Sequence, residues 1–360
     1  MRILYAIQGT GNGHLSRARD IIPLLLTKGE VDILVSGIQA DVELPYPVKY
    51  KFKGLSFIFG KKGGVDILST YKKSNLKQLY KEIKSLPVEL YDIIINDFEP
   101  VSAWACFIRK KECISLSHQA AVTNKKAPSP KDTDIIGKTI LKKYAPATHK
   151  YGFHFKAYDN NIFTPVIRSQ IREIYPFNQE HYTVYLPAYD DENIIKVLRE
   201  AKHVNWRIFS KHTKKAYTKK NFMVMPISND AFIDSMATCT GMLCGAGFET
   251  PAEALFLKKK LMVIPMKKQY EQHCNAAALE QMGVDVIKSL KKKYIPRIDE
   301  WINGSKIIPV NYPDITCDII NMIIKKHSVS IAVPKMGQKI SSLKDFKEYS
   351  VKNIIHNTGE

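Results

Sequence analysis

No stretch of this chain approaches the ~20 consecutive apolar residues that a membrane-spanning helix needs. The opening MRILYAIQGTG has a short apolar run that soon meets Gly and Asn, which argues against a secretory leader and sets a cytoplasmic protein as the expectation. Cysteine is sparse. The six thiols (Cys106, Cys113, Cys239, Cys244, Cys274 and Cys317) form no C-x-x-C pair and lack histidines at ligand spacing. Buried reduced thiols are therefore expected, with no metal and no cofactor. Acid is also in short supply: 35 Asp and Glu face 54 Lys and Arg, a formal net charge of +19. Such an excess attracts phosphate, whether on a nucleotide, a nucleic acid or an anionic membrane face. Spread in pairs and triplets along the chain, the lysines suit an ordinary solvated surface equally well. The aromatics are not interleaved with Lys and Arg as in RNA-binding signatures, so nucleic acid is an unlikely partner.

What is present is a soluble globular composition, 45% hydrophobic and 25% charged over 360 residues. That length suits two domains of roughly 150 residues each. ILYAI reads as a strand, GTGNGHLSRARDIIPLLLTKG turns into a helix that ends at Gly29, and VDILVSG is the next strand. YDIIINDFEP and CISLSHQ are further strands that run into polar loops, each followed by a helix. From HYTVYLP a second alternation of strands and helices begins. The expected class is α/β with two doubly wound, Rossmann-like domains: residues 1–165, a linker over 166–180, residues 181–327, and a tail over 328–360 with one amphipathic helix (Ile340 to Ile355).

The densest signal lies between Leu243 and Gly283. Gly245-Ala246-Gly247 leads into Thr250-Pro251-Ala252-Glu253, which reads as an N-cap Thr, a Pro at the first helical position and a capping-box Glu. A helix start behind a glycine loop is a natural phosphate site. LMVIP then reads as a strand buried on both faces, ending in the polar loop MKKQYEQ with Glu271 and Gln272. The triplet Lys258-Lys259-Lys260 reads as a solvated turn at the opposite sheet end.

At the N-terminus, Gly9-Thr10-Gly11-Asn12-Gly13-His14 invites comparison with the dinucleotide fingerprint and fails it. His14 stands where the third glycine belongs, and the tip of the second strand carries no acid. The loop does place an imidazole at a helix N-terminus, where the helix dipole is expected to lower its pKa and keep it neutral. Asp97, at the tip of its strand, could orient His14 as in an Asp–His pair, with Glu99 as the alternative acid. Asp97 could equally cap the helix near Pro100, and His14 could simply pack. His118, on the same edge, is a third candidate beside an ordinary structural histidine. Glu253, Glu271 and Gln272 all have bland duties available as first-turn residues.

The pattern Gly247, Thr250, Glu253, Pro265, Glu271-Gln272 and Asn275-Ala276 resembles the donor-binding half of GT-B nucleotide-sugar glycosyltransferases, in particular the MurG-like and plant UDP-glycosyltransferase branch. The resemblance implies two Rossmann-like domains facing across a cleft. It further implies that Gly247 and Thr250 meet a diphosphate, Glu253 a ribose, Glu271 and Gln272 the donor sugar, and Phe232 and Ile233 a uracil, with Gly245 also on the donor side. Gly11, Asn12, Gly13 and His118 would line the acceptor side, with His14 as base and Asp97 as its orienting acid. The loop Leu186 to Asp191 departs from the pattern, having two acids and no glycine, so Lys211 or His212 is the candidate for the missing positive charge.

These readings converge on an inverting, metal-independent transfer of a hexosyl or N-acetylhexosaminyl group from a nucleoside-diphosphate sugar, UDP-linked by expectation, to a hydroxyl or lipid-linked glycan acceptor. The basic and apolar loop Lys51 to Lys62 suggests an acceptor-side contact with an anionic membrane surface or a lipid-linked acceptor, hence a peripheral location; the MurG-like resemblance implies a role in cell-envelope glycan. The rivals are a nucleotide-sugar epimerase on the same scaffold and a basic nucleic-acid-binding protein.

Overall fold

The computed structural model describes residues 1–37, 44–55, 76–130, 134–201, 203–328 and, near the C-terminus, 342, 343, 345 and 346. Most of the loop Lys51 to Lys62 and most of the tail helix expected over Ile340 to Ile355 lie outside the described residues.

Two seven-stranded sheets carry the chain. The first holds β1 (Arg2–Gln8), β2 (Glu30–Ser36), β3 (Tyr50–Phe52), β4 (Ile93–Asp97), β5 (Ile114–Leu116), β6 (His149–Phe153) and β7 (Ile162–Phe163). Its order is β3-β2-β1-β4-β5-β6-β7, parallel throughout. The second holds β8 (His181–Tyr185), β9 (Asn205–Ser210), β10 (Tyr217–Lys219), β11 (Phe222–Pro226), β12 (Gly241–Gly245), β13 (Lys260–Ile264) and β14 (Asp285–Val286). Its order is β10-β11-β9-β8-β12-β13-β14, with only the edge pair β10–β11 antiparallel. The central strands read as unbroken apolar runs because helices cover both faces: every residue from Ile3 to Ile7 is fully buried.

The helices are α1 (Asn12–Leu26), α2 (Leu76–Ser85), α3 (Pro100–Arg109), α4 (His118–Val122), α5 (Ile135–Lys143), α6 (Ser169–Arg172), α7 (Asp191–Leu198), α8 (Asn229–Thr238), α9 (Glu249–Phe256), α10 (Tyr270–Gln281), α11 (Ile295–Asn303) and α12 (Thr316–His327). No helix among the described residues is long and apolar enough to cross a membrane. In each sheet the order reverses once, between β1 and β4 and between β8 and β12. Loops leaving the C-terminal ends of such a strand pair diverge and open a crevice. One apolar cluster then joins the halves, running from Ile3, Tyr5 and Ile7 through Phe153 and Phe155 to Phe248, Cys244 and Ala276.

One expectation changes here. Lys259 is no solvated turn residue: it is 6% exposed, and its ammonium donates to the carbonyls of Phe177, Ala237 and Cys239 at 3.2, 2.7 and 2.8 Å. It ties the linker to the end of α8. The stretch expected to belong to the second half up to residue 327 ends in α12, which packs against α1 of the first half through the cluster containing Ile319, Ile320 and Ile323. Phe346, in the expected tail, is buried against Tyr80 and Trp104 with ring centroids 5.6 and 5.4 Å away.

Candidate active site at the facing switch points

The loop after β1 turns at Gly11, whose φ of 101° only glycine adopts readily. Asn12 then opens α1, and His14 sits in its first turn. Asp97 is the last residue of β4, the neighbour of β1, so the switch point brings the two side chains together. His14 Nδ1 lies 2.9 Å from Asp97 Oδ1. The rival capping role goes to Glu99, whose carboxylate accepts from the amides of Val101 and Ser102 at 2.7 and 2.6 Å. Phe98, in the left-handed region at φ 58°, makes the turn that separates the two acids.

Arg17, one turn along α1 from His14, completes the cluster. Its Nη2 donates to both Asp97 oxygens at 2.8 and 2.7 Å, and its Nη1 pairs with Glu249 at the start of α9, across the cleft. The halves meet so closely that a Cβ on Gly13 would collide with the Glu249 carboxylate. Burial alone would push the Asp97 pKa up; Arg17 and His14 outweigh it and hold the carboxylate below its usual range. For His14 burial pulls down, but the Asp97 charge and hydrogen bond prevail and raise the pKa above its ordinary 6.5. The lowering expected from the helix dipole is thereby overturned: a full charge at hydrogen-bond distance outweighs partial charges on the helix end.

On the facing side, Gly245, Pro265, Met266 and Gln272 line a cavity of about 130 Å³ together with Leu186, Tyr189, Lys267 and Lys291. It lies at the C-terminal ends of β8, β12 and β13. Lys267 and Lys291 line it, whereas Lys211 and His212 do not. Asp190 caps α7 by accepting from Asn193 N at 2.7 Å, which accounts for one of the two acids in that loop. Gln272 Oε1 accepts from Met266 N at 2.9 Å and shapes the rim. At Gly247 an added Cβ would meet nothing within 4 Å, so this backbone faces open space.

The capping box at Thr250 is not formed. Helix α9 starts two residues earlier than Pro251, at Glu249, and shows no side-chain cap. Glu253 turns instead to Arg168 of the linker in a bidentate pair, Nε to Oε1 at 2.6 Å and Nη2 to Oε2 at 2.8 Å. Burial raises the Glu253 pKa, against the opposing effect of Arg168.

Two more contacts span the cleft. Gln119 Nε2 donates to Glu271 Oε2 at 3.1 Å and lies 3.4 Å from His14 Nε2, linking His14 to the facing carboxylate. His118 is buried, with Nδ1 2.8 Å from the Phe153 carbonyl, Nε2 2.8 Å from Asn275 Oδ1, and its ring stacked on Phe248 at 3.9 Å. Phe232 and Ile233 lie apart from the cavity lining: Phe232 packs edge-on against Tyr185 and Phe209, both with centroids 5.2 Å away. Sequence reasoning missed Arg17, Gln119, Arg168, Glu249, Lys267 and Lys291. Only Arg17 left a local sign, its i+3 spacing from His14 on one helix face. Thr10 Oγ1 and Gln119 Oε1 are buried with no partner among the described residues, which leaves polar atoms for a hydroxyl-bearing ligand.

Solved structures share this architecture at low identity. MurG of Acinetobacter baumannii aligns at 12% identity over 90% of this chain and 99% of its own, with a TM-score of 0.53. UGT89C1 of Arabidopsis thaliana, complexed with UDP, aligns at 12% identity over 98% and 100%, with a TM-score of 0.52. The glycosyltransferase SsfS6 of Streptomyces sp. SF2575, complexed with thymidine diphosphate, aligns at 12% over 90% and 99%, with a TM-score of 0.54. No curated protein sequence matches the chain. These likenesses establish the GT-B fold. The sequence model of glycosyl transferase family 1 matches residues 1–302, so the chain belongs to that family and is a glycosyltransferase.

Proposed function

We propose that this enzyme transfers a sugar from a nucleoside-diphosphate donor, UDP-linked, to an acceptor hydroxyl with inversion at the anomeric carbon. The observation that carries the reading is the His14–Asp97 pair at 2.9 Å. With Nδ1–H donated to Asp97, Nε2 keeps its lone pair, and Gln119 Nε2 stands 3.4 Å from it as a donor. That nitrogen can take the acceptor proton as the oxygen attacks. A single displacement of this kind inverts the configuration and needs no enzyme nucleophile. Thr10 and the loop Gly11 to Gly13 contribute the acceptor side.

On the donor side, the free N–H groups at the start of α9 behind Gly245 to Gly247, with Lys267 and Lys291, supply positive charge for the departing diphosphate. Protein groups thus cover the charge that forms, without calling on a metal. Glu271 and Gln272 take sugar hydroxyls. The UDP and thymidine diphosphate in the UGT89C1 and SsfS6 structures support a nucleoside-diphosphate donor. The test is a thermal-shift panel of UDP-, GDP-, TDP- and ADP-sugars. A UDP-sugar present at ~100 times its Kd should stabilise the fold by about 2.7 kcal/mol. No shift with any of them would sink the donor assignment, and turnover of a UDP-sugar without acceptor would favour an epimerase.

Glu253 is assigned the donor ribose, which it reaches by exchanging Arg168 for the diol. Glu253→Gln should cost about 1.5–3 kcal/mol of stability through the lost charge-assisted bond, and weaken UDP binding as well. Denaturant unfolding and calorimetric titration at a temperature where both forms are folded separate the two effects. A stability loss with unchanged UDP affinity leaves Glu253 as a linker anchor alone.

A further inference from the structure

At the N-terminal edge of the first sheet, opposite the edge that holds His14 and Asp97, three side chains from distant parts of the sequence converge. Glu112 precedes β5, His149 begins β6, and His327 ends α12. Strands β5 and β6 are neighbours, with Ile114 paired to His149, so the sheet itself sets the first two side by side. One ligand atom from each of the three residues can be chosen so that all lie within 4.8 Å of one another. His149 Nε2 is 3.3 Å from Glu112 Oε1, the same oxygen that contacts His327 Nδ1, and the imidazole centroids are 4.5 Å apart.

We propose that Glu112, His149 and His327 bind a borderline transition-metal cation, Zn²⁺ in the first instance, that fastens α12 to the first sheet. Two imidazoles and one carboxylate suit Zn²⁺ over Mg²⁺ or Ca²⁺, which prefer all-oxygen sets. In a tetrahedral zinc site with bonds of about 2.0–2.1 Å, ligand atoms stand about 3.3–3.4 Å apart, the spacing of His149 Nε2 and Glu112 Oε1. The outer nitrogen of His327 has a partner too: Nε2 lies 3.0 Å from Tyr151 Oη, which aims Nδ1 into the cluster. Ligating imidazoles regularly carry such an outer contact. His327 and Glu112 are largely shielded, at 3% and 18% side-chain exposure, while His149 is 38% exposed and leaves a path for the ion and for a completing water. Residues 112, 149 and 327 follow no sequence spacing, because the sheet register and the returning helix bring them together.

The test uses the full chain, stripped with a chelator and dialysed. Titration with Zn²⁺ against a chromogenic competitor should show one ion bound per chain, and the apo protein should melt higher once Zn²⁺ is added. Co²⁺ should give the intense visible bands of a tetrahedral site. His149→Gln, at the exposed corner where folding is least at risk, should abolish the Co²⁺ bands and the Zn²⁺-induced shift. Tyr151→Phe should weaken the affinity by about 10–100-fold. Absence of stoichiometric uptake, or uptake and stabilisation undiminished in His149→Gln, overturns the site.

Discussion

His14→Ala should lower kcat by about 10²–10⁴-fold, the usual contribution of a positioned base, while the Kd for UDP stays unchanged. The geometry makes this separation sharp. His14 is held by Asp97 of its own half, and the cavity with Gly245, Lys267, Gln272 and Lys291 belongs to the other. Single-turnover transfer and calorimetric titration with UDP measure the two quantities independently. Transfer that survives in His14→Ala would remove His14 as the base. The same pair fixes a pH signature. The base must be neutral to accept a proton, so activity rises with pH through the His14 pKa. Burial lowers that pKa and Asp97 more than restores it, which places the limb above 6.5. In Asp97→Asn the raising cause is gone and burial prevails, so the limb should move to lower pH while kcat falls.

Arg17→Met should cost about 3–5 kcal/mol of folding stability, the scale of a broken buried ion pair. Arg17 is 2% exposed and satisfies the fully buried Asp97 as well as Glu249 from the opposite half. Methionine fills the volume but leaves Asp97 with His14 alone. A second readout follows from charge: Arg17 lowers the His14 pKa, so its removal should carry the acidic limb of activity to higher pH. Urea unfolding and a pH–rate profile check both. A loss below about 1 kcal/mol, the scale of an exposed pair, would mean that Arg17 is not the keystone of the cluster.

Much of the scaffold was legible in the sequence because strand periodicity and glycine punctuation are local. The break at Gly9 to His14 and the polar tip at Asp97 lie on adjacent strands, so a doubly wound order brings them together. What stayed hidden was settled by contacts distant in sequence. Thr250 to Glu253 has the local grammar of a capping box, yet Arg168, 85 positions away, claims the Glu253 carboxylate. Lys259 looked solvated because a run of three lysines usually is, and only the packed ends of α8 and the linker supply the carbonyls that enclose it. The direction of the His14 pKa failed for the same reason, since a local dipole argument omits a partner 83 residues on.

The return of α12 to the first sheet bears on how the cleft can open. Among the described residues the chain crosses between halves twice, once on the way out near residues 168–172 and once on the way back near 312. The two crossings touch, Arg172 Nη1 donating to the Tyr312 carbonyl at 2.9 Å, and Tyr312 Oη reaches the Phe155 carbonyl at 3.2 Å. Adjacent tethers define one hinge line. The expected opening motion is a rotation about that line, which keeps the Arg172 and Tyr312 bonds and parts Arg17 from Glu249. The molecule is thus bound like a book along one spine, and a turn about that spine would part the pages at the edge that holds His14.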